Sequence, residues 1–96
     1  HAYMHSIMMA PHGTANGLLG LGALINACAT LPANYIAFEY PSASDPWWTE
    51  IVTGLPKGQI VRDSMVDLLE APGLGVDIDA EGARQYLSEE DTGFFD

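Results

Sequence analysis

Two residues in the first forty have the type and placement to do chemistry. His12 follows the short apolar run Ile7-Met8-Met9-Ala10 and Pro11. Glu39 follows a second run, Tyr35-Ile36-Ala37-Phe38. A histidine titrates near neutrality, so it both takes and returns a proton. A carboxyl group accepts hydrogen bonds when ionised and donates one when protonated. Each closes a strand-like run, and parallel strands would aim both toward one side.

Other residues of chemical interest read more simply. Cys28 is the single cysteine, so neither an internal disulfide nor a multi-cysteine zinc site can form. It lies inside an apolar helical pattern and reads as a small core residue. His1 and His5 have the i, i+4 spacing of a metal pair on a helix, but no third ligand is spaced to join them. Trp47-Trp48 reads as an anchor for a loop on the core, because each ring buries a large area. Gly73-Leu74-Gly75 lacks the strand–helix context of a nucleotide-binding loop.

The elements that must position His12 and Glu39 follow from pattern. Ser6–Ala10 is an apolar run closed by Pro11, the signature of a short buried strand. Thr14 or Asn16 can cap the helix that comes next. From Gly17 to Thr30 the residues are apolar almost all round, so that helix must be covered by other structure. Gly20 and Gly22 each lower its propensity by about 1 kcal/mol, and close approach to another backbone is their expected return. Pro32 stops the helix, and Tyr35–Phe38 is a second buried strand. Strand, helix, strand with short connections reads as a βαβ unit with a parallel sheet.

Beyond Tyr40 the character changes. Ser42–Pro46 reads as a linker. Asp45-Pro46 opens a short helix at Trp47–Val52, with Asp45 as N-cap. Gln59–Arg62 and Ser64–Asp67 read as two short strands about a turn at Asp63. Ala71–Gly75 is a loop, and Asp79 starts a last amphipathic helix. Ser88–Asp96 reads as a frayed tail. Two portions are expected, residues 1–45 and 46–96.

Thirteen acids face three basic side chains, a formal charge of −10 across 96 residues. No basic patch can form to neutralise phosphates, which excludes nucleic acid as a partner. The same charge excludes anionic membrane surfaces. Excess surface acid resembles the composition of salt-adapted proteins. No apolar run reaches the roughly 20 residues that cross a bilayer, and no basic region precedes the apolar helix as a signal peptide requires. The cytoplasm is the expected location. The chain opens on His1 without Met, so it is expected to be a piece of a longer protein.

The stretch APHGTANGLLGLGALINACATLPANYIAFEY, followed by APGLGVDIDAEGARQYL, resembles the C-terminal end of the mandelate racemase and muconate lactonizing enzyme family, in the enolase superfamily. The Pro11-His12-Gly13 step, the helix exit and strand ending at Glu39, and the closing Pro72–Asp77 motif carry the likeness. The resemblance implies an α/β fold: the last βαβ strands of a modified TIM barrel, strands seven and eight, in residues 1–45. Residues 46–96 would return to an α+β capping domain. Barrel enzymes place catalytic groups at the C-terminal ends of strands.

What the resemblance implies for chemistry is removal of a proton α to a carboxylate, with Mg2+ and hydrogen-bond donors stabilising the enediolate. His12 matches the general base and Glu39 the strand-eight acid that contacts the substrate carboxylate. Both are thus candidate catalytic and substrate-binding residues. No residue here matches the family's magnesium ligands, which are expected on earlier strands. The Pro-His-Gly step and the closing segment are more similar to the sugar-acid dehydratases than to the racemases. The implied partner is a small carboxylate substrate, a sugar acid, and the parent is expected to be a homo-oligomer. Racemisation, epimerisation or cycloisomerisation is the alternative within the family. A small acidic domain that binds a partner protein through its apolar helix is the alternative from another class.

Overall fold

A computed structural model describes residues 1–13, 17–40, 46–56 and 60–96. Among the described residues the regular structure includes three α-helices and four two-residue strands. In chain order they are α1 (Gly17–Ala29), α2 (Trp47–Glu50), β1 (Val52–Thr53), β2 (Val61–Arg62), β3 (Met65–Val66), β4 (Asp77–Ile78) and α3 (Ala80–Arg84). A 3-10 turn, Tyr3–His5, precedes them.

Helix α1 forms where the apolar pattern places it. It buries one stripe, Leu18, Leu21, Gly22, Ile25 and Cys28, with the three- and four-residue spacing of a single helix face. Leu19, Ala23, Ala27 and Ala29 remain exposed. The all-apolar circumference is therefore covered on one side only within this chain. Thr30 closes the helix, its hydroxyl donating to the Ala27 carbonyl at 2.8 Å, and Pro32 follows as a residue that cannot continue the ladder. The proposed caps Thr14 and Asn16 lie outside the described residues.

The flanking runs meet in parallel, as a βαβ connection demands, but over one residue pair. Met9 bridges Tyr35. The Met9 N–H donates to the Asn34 carbonyl at 2.8 Å, and the Ile36 N–H donates to the Met9 carbonyl at 2.9 Å. The runs are not the buried strands their sequence suggests: Ile7, Met8 and Ile36 are all more than half exposed. A parallel pair gains stability from covered faces and further strands, and Ile7, Met8 and Ile36 have no such cover among the described residues. No barrel is formed by the described residues; four of their strands make two small antiparallel pairs.

The core joins the two portions of the chain. Leu18, Leu21 and Ile25 from α1 pack with Val52 and Ile60, and Phe38, Trp48, Ile51, Leu55, Val66 and Leu69 surround them. Trp48 thus anchors its short helix to the core. Strands β2 and β3 form the expected hairpin, Val61 opposite Val66 and Arg62 opposite Met65. Asp63 and Ser64, with φ of 50° and 62°, supply the left-handed pair that matches hairpin twist. Strand β1 pairs with β4, which the sequence pattern does not announce. The expected N-cap Asp45 and the linker residues 42–45 lie outside the described residues.

The closing loop seats on α1. A Cβ at Gly22 would meet the Val76 side chain, and the Leu74 carbonyl at 3.1 Å. This is the backbone approach that a glycine permits. Asn26 adds a hydrogen bond to the same Leu74 carbonyl at 3.1 Å. Asp79 caps α3, its carboxylate accepting the Gly82 N–H at 3.1 Å. The tail is not frayed. Arg84 holds Asp96 at 2.7 Å and donates to the Phe95 carbonyl at 2.8 Å, with its guanidinium 5.9 Å from the Phe95 ring centroid. These contacts offset the ordering cost that a short polar tail otherwise leaves uncompensated.

The radius of gyration is 15.6 Å, against about 12.5 Å for a compact globule of this length. The extents of 49 × 27 × 26 Å describe an elongated body.

Candidate functional site

The parallel bridge brings His12 and Glu39 together. His12 Nε2 lies 3.7 Å from Glu39 Oε2, with the side chains 66 % and 64 % exposed. Among the described residues neither forms an ion pair with any other side chain. The two residues sit at the same end of the paired runs, as the sequence predicts.

Local backbone chemistry explains why the pair forms there. Pro11 has no N–H, so the ladder cannot continue on its donor side. Its carbonyl still accepts. A regular parallel ladder would give that carbonyl the Phe38 N–H; instead Glu39 donates to it at 3.0 Å. The one-residue offset leaves Phe38 packed against the core and draws the Glu39 backbone against the residue that precedes His12. At the other end of the pair Asn34 acts as a clamp. Its amide donates to the Ile7 carbonyl at 2.7 Å, and its buried Oδ1 has no protein partner. In the sequence Asn34 is only part of a helix stop. Its signal is that of a lone polar side chain entering an apolar run.

An exposed carboxylate–imidazole pair at this distance contributes little to stability, about 0–1 kcal/mol. Its interest is chemical: a proton acceptor and a proton donor stand side by side in reach of solvent.

The larger apolar hollow is elsewhere. It encloses about 360 Å³ between α1, residues 35–40 and the β2–β3 hairpin, and neither His12 nor Glu39 lines it. Cys28 lies on its wall. Burial pushes the Cys28 thiol above its ordinary range, and a hydrogen bond with Tyr35 opposes this. A thiol held protonated is a poor nucleophile, so Cys28 behaves as a core residue. The His1 and His5 rings meet at a tilt of 53°, with centroids 4.6 Å apart. Among the described residues no three histidine, cysteine or acidic side chains gather as a metal would require, and no helix is long and apolar enough to cross a membrane.

Comparison with known proteins gives one distant likeness. The chain is 28 % identical over 93 residues to a D-xylonate dehydratase of Haloferax volcanii, covering 97 % of this chain and 21 % of that protein. The chain thus spans about a fifth of the length of the curated relative it matches. No family model matches the chain, and no solved structure matches it.

Proposed function

We propose that this chain carries the proton-transfer end of a sugar-acid dehydratase of the mandelate racemase type. The observation that carries the reading is the His12–Glu39 pair, 3.7 Å apart at one end of two parallel runs. The similarity of 97 % of this chain to part of a D-xylonate dehydratase supports the dehydratase class over the racemase, epimerase and cycloisomerase alternatives. The elongated body and the exposed Ile7, Met8 and Ile36 support a place within a larger barrel whose other strands cover those residues.

In this reading His12 takes the proton α to the carboxylate of the substrate. Glu39, when protonated, donates a hydrogen bond to that carboxylate and so favours the enediolate in which its charge grows. The proton on His12 then passes to the neighbouring hydroxyl as its C–O bond breaks, so that water leaves and an enol remains. The resemblance also implies magnesium. The described residues do not fit the ion, since no ligand group of three gathers among them, and its ligands are assigned to strands outside this chain.

The test uses the intact gene product with D-xylonate and related sugar acids in deuterated solvent. His12→Asn keeps side-chain polarity but cannot take a proton at neutral pH. It should lower α-proton exchange by about 10²–10⁴-fold, while magnesium affinity holds. Exchange at the unsubstituted rate would assign the base to another residue.

A further inference from the structure

Four hydrogen bonds tie the two site-bearing runs among the described residues, and Asn34 makes two of them. Its side-chain amide donates to the Ile7 carbonyl at 2.7 Å. Its backbone carbonyl accepts the Met9 N–H at 2.8 Å. The other two run from the Ile36 N–H to the Met9 carbonyl at 2.9 Å and from the Glu39 N–H to the Pro11 carbonyl at 3.0 Å. A regular parallel ladder through the Met9–Tyr35 bridge would send the backbone N–H of Asn34 to the Ile7 carbonyl. The side-chain amide takes that place. It does so where the ladder ends: the Ile7 N–H turns back to the Ala2 carbonyl at 3.0 Å, and the Pro32 carbonyl accepts from Tyr35 at 3.0 Å.

Register in a sheet is ordinarily specified by the apolar side chains that a slip would expose. That constraint is weak here. Ile7, Met8 and Ile36 are all more than half exposed, whereas Asn34 is 6 % exposed. Asn34 is the one buried residue in 6–13 and 33–40. A slip would strip its amide of the Ile7 carbonyl, and a polar group buried without a partner is costly. Fixing register is the best-attested use of a single buried asparagine.

We infer that Asn34 is a positioning residue, which pins the parallel register and thereby holds His12 beside Glu39. A slip of one residue would turn the Glu39 side chain to the face opposite His12. A slip of two would carry it about 6.6 Å along the run. Either ends the 3.7 Å contact. Ile7 and Asn34 stand five residues before His12 and Glu39 respectively, so one clamped pair sets the level of the other. The link from register to turnover rests on the function proposed above.

The test uses the intact gene product. Asn34→Asp keeps the side chain's size but has no donor at neutral pH. Asn34→Ala, which adds no charge, repeats each measurement if the aspartate variant does not fold. Hydrogen exchange read by mass spectrometry should accelerate about tenfold or more in peptides spanning 33–40, while peptides from α1 hold. With a sugar acid, kcat should fall about tenfold or more, with KM changed by less than about threefold. Adding Asn34→Asp to His12→Asn should cause no further loss, because Asn34 acts through His12. A residue that only stabilises the fold would instead speed exchange in α1 and add its loss in the double variant, and either result would overturn the inference. So would unchanged exchange in 33–40, or an unchanged kcat beside a slow His12→Asn. If His12→Asn turns over at the unsubstituted rate, it is the assignment of the base that fails, and faster exchange confined to 33–40 still supports the pinned register.

Discussion

The Asn26 amide on α1 donates to the Leu74 carbonyl across 48 residues of sequence, at 3.1 Å, and also to the Gly22 carbonyl at 2.8 Å. One side chain thus fastens the closing loop to the helix between the two site-bearing runs. Asn26→Leu should lower stability by about 1–3 kcal/mol, the worth of two hydrogen bonds. Gly22→Ala sets two effects against each other. The helix gains about 1 kcal/mol of propensity, while crowding against the Val76 side chain and Leu74 carbonyl costs about 1–3 kcal/mol. The crowding involves backbone, which yields less than a side-chain tip, so a net loss is expected. Urea unfolding of each variant measures it. A stabilised Gly22→Ala would show that the loop does not seat on α1.

Burial raises Cys28 and, more strongly by burial than by its contact with the thiol, Tyr35 above their ordinary values of 9.0 and 10.0. A group whose folded value is raised stabilises the fold fully below its unfolded value, and that contribution is lost as pH rises through the folded value. Stability should therefore be level through neutral pH and decline above about pH 9, the upper part of the thiol range. Alkylation of Cys28 at mildly alkaline pH should be slow until denaturant is added. Rapid labelling of the native chain would place the thiol at the surface.

Arg84 ties the tail through Asp96, the Phe95 carbonyl and the Phe95 ring. Arg84→Ala removes all three. Proteolysis within 88–96 should accelerate, with little change in global stability, because Asp96 is exposed and such pairs are each worth about 0–1 kcal/mol. Equal cleavage rates in the two proteins would mean that the arginine does not hold the tail.

A formal charge of −10 makes the folded chain repel itself. Raising potassium chloride from about 0.01 M to about 1 M shortens the screening length from roughly 30 Å to 3 Å. The melting temperature should rise with salt, by several degrees for each kcal/mol of repulsion removed. A fall over that range would show that ion pairs such as Arg84–Asp96 and Arg62–Asp67 outweigh the repulsion.

By itself the sequence determined the local elements. The apolar run after Gly17 defined α1, Pro32 its end, Asp79 the start of α3, and Asp63 the hairpin turn. These are encoded by neighbours a few residues apart, through helix period, capping and backbone freedom. The sequence also placed His12 and Glu39 at matching ends of two runs, because βαβ order implies parallel strands. Tertiary structure alone decided the rest. The pairing of β1 with β4 joins Val52 to Ile78 and Thr53 to Asp77, and two-residue strands carry too little alternation to be read locally. Asn34 became a buried clamp only because Ile7 lies beside it. The tail was ordered by Arg84, which charge pattern alone left as one cation among many anions. Among the described residues the runs around His12 and Glu39 met at only one bridge, because Pro11 withholds a donor and Ile7, Met8 and Ile36 lack cover. The 3.7 Å contact depends on the offset that sends the Glu39 N–H, and not that of Phe38, to the Pro11 carbonyl. That offset leaves Phe38 on the core, and a core is a property of packing between distant segments.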